Sequence, residues 1–172
     1  MCRHLSGVAV YRSETEVTVY MSRKTDSHTE IRAEHGLSED TTGREKRTPV
    51  EYVPTGNLLD FASWDFCFDD FRPDWWPEAH TRDAKRQMAS FAAALWDGNV
   101  LDVPGDLILD SLTSITEGVT LSAGRDLNLS SLESITEGVT LSAGGHLYLG
   151  RLESIPEGAT LSAGGNLTLH RL

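Results

Sequence analysis

Residues 111–130 read SLTSITEGVTLSAGRDLNLS, residues 131–150 read SLESITEGVTLSAGGHLYLG, and residues 151–170 read RLESIPEGATLSAGGNLTLH. The blocks abut with a constant offset of 20 residues. Their near-identity makes this a tandem array, and a fixed period of this length predicts a solenoid. Within one block, Val119, Leu121 and Ala123 alternate with polar neighbours, as do Leu127 and Leu129 with Asp126, Asn128 and Ser130. A period of two is the strand signal. Leu112 and Ile115 are the apolar anchors of the other side. Ala123-Gly124 is expected to bend the chain between the strands through glycine's backbone freedom, and Gly118, Gly138 and Gly158 mark a second corner. One coil buries too few side chains to offset its own ordering, so the coils must stack.

The register extends outward. Leu101, Leu107 and Leu109 stand one period before Leu121, Leu127 and Leu129, and Gly98 one period before Gly118. Leu95 to Asp110 therefore reads as a degenerate first coil. Arg171 and Leu172 begin a coil that does not close. The expected organisation is an α+β domain over 1–78, a capping helix over 79–97, and a β-solenoid over 98–172 with one degenerate and three regular repeats.

The run Leu147-x-Leu149-x-x-Leu152-x-x-Ile155-Pro156, closed by Leu161, resembles a short bacterial leucine-rich repeat over about Leu95 to Leu172. The asparagine that follows the L-x-L strand in that family is missing, and Ser131 and Arg151 stand nearby instead. This leaves a straighter, β-helix-like stack open beside the family's horseshoe. Such arrays are also similar to those of small bacteriophage and prophage proteins of unassigned role. The leucine-rich-repeat resemblance implies that the strand face carries binding.

Upstream, GVAVYR at 7–12 and EVTVYMS at 16–22 read as a β-hairpin. Ser27 followed by Glu30 is a capping-box signature for a helix over about 28–35, stopped by Gly36. Residues 38–49 are polar and read as a loop. VEYV at 50–53 and WDFCF at 64–68 read as strands. Residues 79–96 read as a helix with Ala84, Met88, Phe91, Ala92 and Leu95 on one stripe, placed to cover the solenoid's first end.

The formal net charge is −11 over 172 residues and the pI is near 4.9. Such a surface repels phosphate backbones, so direct nucleic-acid binding is not expected; a protein with a basic surface is the partner it suits. No apolar run is long enough for a membrane helix, and the start MCRHLSGVAV lacks a signal-peptide core. Two cysteines, Cys2 and Cys67, suit a reducing cytoplasm, the host's cytoplasm if the chain is phage-encoded.

Equivalent positions in successive coils should lie about 4.8 Å apart. Rows that vary are free of structural constraint and are the candidates for recognition: Asp126, His146 and Asn166, then Asn128, Tyr148 and Thr168. Glu117, Glu137 and Glu157 form an acidic ladder, either a solvated corner or a docking strip. The segment 60–78, DFASWDFCFDDFRPDWWPE, interleaves acids with aromatics. Trp75, Trp76, Asp69, Asp70 and Asp74 are its candidate partner-binding residues, because two adjacent tryptophans cannot both face one core from a strand. Leu167, Leu169, His170 and Leu172 are the candidate homodimer interface at the open last coil.

No nucleophile–base set, phosphate loop or dinucleotide fingerprint is present. Cys67 reads as a packed small hydrophobe, and Cys2 with His4 is too small a ligand set for a metal site. No catalytic residue, metal or cofactor is expected. The leading expectation is a non-enzymatic protein-binding module. With the phage-like resemblance, the acidity suggests an inhibitor of a host nucleic-acid-handling or defence complex, in the manner of an anti-CRISPR protein. Alternatives are a structural oligomerisation protein and an enzyme with a site near Asp26, His28 and His35.

Overall fold

The computed structural model of the chain describes residues 5–37, 46–55, 57–69 and 71–171. Cys2, His4, Asp70, Leu172 and most of the polar loop at 38–49 lie outside the described residues.

The hairpin forms as β1 (Ser6–Ser13) and β2 (Glu16–Tyr20), and β3 (Arg47–Val53) and β4 (Asp65–Phe68) complete an antiparallel sheet in the order β2-β1-β3-β4. Alternation along β1 splits its side chains between two faces. Val8 and Val10 meet Ile31 of α1 (His28–Glu34) on one face. On the other, Gly7 and Ala9 face α2 (Glu78–Leu95), where a Cβ on Gly7 would come within 3.3 Å of the Met88 methyl. Ser27 is the N-cap of α1 but makes no side-chain capping bond; Glu30 instead accepts a hydrogen bond from the Thr25 hydroxyl. The capping-box reading therefore gives the helix start correctly but not the bond.

The stripe on α2 is as expected, with Ala84, Met88 and Ala92 buried. Its partner is not the expected one. The helix lies along β2 of the sheet rather than over the first coil. The Gln87 amide shows why: it accepts from the Val19 N–H at 2.9 Å and donates to the Val17 carbonyl at 2.8 Å. These main-chain groups lie on an edge strand, and the helix satisfies them. The solenoid's first end is covered by other parts. The strand β5 (Trp96–Asp97) turns through Gly98 and pairs antiparallel with β6 (Val100–Val103). Phe61 packs against Trp96 with the rings tilted, and the Ser111 hydroxyl donates to the Pro54 carbonyl at 3.2 Å.

From β6 onward the chain is a parallel β-solenoid with coils of about twenty residues. One wall is β6, β9 (Thr120–Ala123), β12 (Thr140–Ala143) and β14 (Thr160–Ala163). A second is β7 (Leu107–Ile108), β10 (Leu127–Asn128), β13 (Leu147–Tyr148) and β15 (Leu167–Thr168). A third, short wall is β8 (Ser114–Ile115) and β11 (Ser134–Ile135). Every pairing between coils joins residues 20 apart, such as Leu121 with Leu141 and Leu141 with Leu161. Inside run the expected rows of Leu, Ile and Val.

The two glycine corners have different causes. Gly118, Gly138 and Gly158, expected only to mark a corner, have φ of 74°, 75° and 82°, the left-handed region that favours glycine. Gly124, where backbone freedom is expected, has no such angle, and neither do Gly144 and Gly164. A Cβ there would sit 2.4, 2.2 and 2.2 Å from the carbonyl oxygen of the coil below. Close stacking requires glycine at these positions, not unusual backbone angles.

Candidate functional site

The last coil repeats the residues of its neighbours but not their burial. Leu127 and Leu147 are fully buried, while Leu167 is 42% exposed; Ile115 and Ile135 are 2% and 7% exposed, while Ile155 is 42% exposed. Leu161, Ala163 and Leu169 are only partly covered. The strands β14 and β15 are the outermost of their sheets. Expected interface residues Leu167, Leu169 and His170 thus lie together on an apolar, unpaired face among the described residues. Over its own twenty residues this coil carries a net charge of −1, as 111–130 does, and Arg171 just after it brings the sum to zero. Arg151 and Arg171 balance Glu153 and Glu157 over 151–171, in a chain whose net charge is −11.

The row Asp126, His146, Asn166 has a structural duty that its variation conceals. Asp106 Oδ1 accepts the Asp126 N–H at 3.0 Å, Asp126 Oδ1 accepts the His146 N–H at 2.7 Å, and His146 Nδ1 accepts the Asn166 N–H at 2.9 Å. Each side chain binds the backbone of the next coil. Asp, His and Asn are interchangeable here because each carries an acceptor at the same reach. Half-exposed Asn128, Tyr148 and Thr168 remain on the wall of β7, β10, β13 and β15, with Tyr148 against the His146 ring at 6.0 Å. Glu117, Glu137 and Glu157 are exposed and, among the described residues, in no ion pair.

The acidic-aromatic segment is mainly core. Trp64 and Trp76 are buried, and Trp76 packs with Phe66, Phe68 and His80. Trp75 is half-exposed, edge-on to Tyr11, with the Lys46 ammonium 5.9 Å from its ring. The adjacent pair is thus split, one ring inward and one outward. Asp74 is exposed, and Asp69 is turned toward α1.

Asp26, His28 and His35 do not form one site. His35 bonds the Met21 carbonyl at 2.9 Å and packs, tilted, against Tyr20. Asp26 lines a cleft of about 300 Å³ between the sheet and the first coil, with Ser6, Glu30, Asp106 and Arg125. Burial holds its carboxyl above the ordinary carboxylate value; a backbone hydrogen bond opposes this, and Asp106 and Glu30 add repulsion against the pull of His28. The buried Ser6 hydroxyl has no hydrogen-bond partner among the described residues. His28 points the other way, to β3 and the end of β4. Its Nε2 lies 3.3 Å from the Val50 carbonyl and its Nδ1 3.6 Å from Asp69 Oδ2. Glu51 completes a group whose donor atoms lie within 4.8 Å of one another. Spacing along the chain gives no sign of this group, since each member comes from a different element.

No helix among the described residues is long and apolar enough to cross a membrane. Compared with known proteins, the chain matches no family model, no curated protein and no solved structure.

Proposed function

We propose that the protein is a non-enzymatic protein-binding module and that the exposed face of its last coil binds a second copy of the chain. The observation that carries this reading is the loss of cover on residues buried one coil earlier, Leu167 above all. An unpaired strand edge beside exposed leucines is a surface suited to another strand. The self-balancing charge of 151–171 favours a second copy, because two molecules of net charge −11 repel least where each is neutral. A two-fold axis would set β14 or β15 against its own counterpart.

Light scattering after size exclusion tests this. The expected mass is twice 18.9 kDa at micromolar concentration, and Leu167→Glu should halve it with an unchanged circular dichroism spectrum. A wild type that stays monomeric up to high micromolar concentration refutes the dimer.

A second reading rests on the acidic ladder. Glu117, Glu137 and Glu157 form a solvated strip that suits a basic protein surface, including one that otherwise holds nucleic acid. In its sharpest form the protein is an inhibitor that replaces nucleic acid there. Excess DNA should then displace the chain from a captured partner, and replacing the three glutamates by glutamine should weaken capture. Capture indifferent to both removes this reading.

A further inference from the structure

We propose that His28, Glu51 and Asp69 form a binding site for a divalent transition-metal cation of the zinc or manganese class. Three elements converge there: the first residue of α1, the middle of β3, and the residue after β4. His28 and Glu51 are 8% and 3% exposed, so this is not a chance meeting of surface groups. Asp69 is exposed and opens the group to solvent.

The tautomer of His28 carries the argument. A carbonyl oxygen only accepts, so Nε2, at 3.3 Å from the Val50 carbonyl, bears the proton. Nδ1 is then the ring nitrogen turned toward Asp69 Oδ2 at 3.6 Å, beside the Glu51 carboxylate, and a cation there would take its lone pair. An imidazole nitrogen and two carboxylates gathered within 4.8 Å of one another are a donor set that attracts a cation. A ligating imidazole held by a backbone carbonyl through its other nitrogen is the usual supporting arrangement at metal sites.

Distance and donor chemistry agree. An ion about 2.0–2.2 Å from each donor places the donors roughly 3–3.6 Å apart. The nitrogen–oxygen separation is already 3.6 Å, and all three donors lie within 4.8 Å, so small side-chain rotations close the set. One imidazole with two carboxylates suits Zn²⁺, Mn²⁺ or Fe²⁺ better than Ca²⁺, which takes six to eight oxygens. The bound ion would tie α1 to the sheet, with water completing the coordination on the Asp69 side.

The test is Zn²⁺ titration of the chelator-treated full chain, followed by calorimetry and thermal unfolding, with Mg²⁺ in a parallel arm. One Zn²⁺ per chain and a rise in Tm are expected, with little effect of Mg²⁺. Asp69→Asn, at an exposed position, and His28→Gln should each weaken Zn²⁺ binding by about tenfold or more; His146→Gln, away from the site, should not. Absence of Zn²⁺ binding overturns the proposal. Binding that survives both Asp69→Asn and His28→Gln also overturns it, because the ion then sits elsewhere.

Discussion

Asp26 carries its charge where the surroundings oppose it: burial first, then Asp106 and Glu30 across the cleft. Its folded-state pKa is raised above the ordinary 3.8, so the folded state holds the proton more tightly than the unfolded chain. Stability from this group is complete below the unfolded value and is lost as pH rises through the folded one. Asp26→Asn should therefore raise Tm at pH 7, and the gain should disappear near pH 3. Equal gains at both pH values would show that Asp26 acts through packing rather than charge. The sequence alone places Asp26 beside His28 and His35, because local spacing measures only distance along one helix. It cannot show that the helix turns His28 to β3 and leaves Asp26 facing a different part of the chain.

At the scale of the element, each coil is joined to the next by main-chain bonds and by one side-chain acceptor. Asn166 at His146 Nδ1 is the outermost such bond among the described residues. Two substitutions separate acceptor from shape. His146→Asn should be nearly neutral in stability, whereas His146→Leu, which leaves the Asn166 N–H without its acceptor, should cost about 1 kcal/mol. Denaturant midpoints measured on both variants check this, and equal midpoints would assign the row to solvent rather than stacking. The rows of Leu121, Leu141 and Leu161 are fully legible in the sequence, since alternation and a fixed offset specify both strand and register. The acceptor row is not, because Asp, His and Asn look like free variation until the atom they share is seen. Gly144 is legible as a corner but not in its cause: only the stacked chain brings the Gly124 carbonyl 2.2 Å from the place of its absent side chain. On α2, Ala84, Met88 and Ala92 declare an apolar stripe. What they cover depends on Gln87 meeting the edge of β2, a long-range match with no local sign.

Across the whole molecule, one apolar core runs without a break from the sheet to the coils. Val19, Val50 and Met88 belong to the same buried cluster as Trp96, Leu121 and Leu147. Trp96 stands at the joint, 9% exposed and packed against Phe61. The two halves should therefore unfold together: near-ultraviolet and far-ultraviolet signals should give coincident urea transitions. Trp96→Ala should destabilise by about 3–5 kcal/mol and split the curve, the coils and the sheet then melting apart. A wild type that already shows two separate transitions would mean that the shared core does not couple them.

The solenoid's uniform offset also makes the molecule a spacer with quantised length. Each middle coil presents the same bonding pattern on its upper and lower surfaces, so adding or removing one 20-residue unit leaves both ends chemically unchanged. Only the separation between the sheet domain and the outermost described coil changes, in steps of about 4.8 Å. Duplication of one such unit could thus adjust the reach between those two surfaces without remaking either.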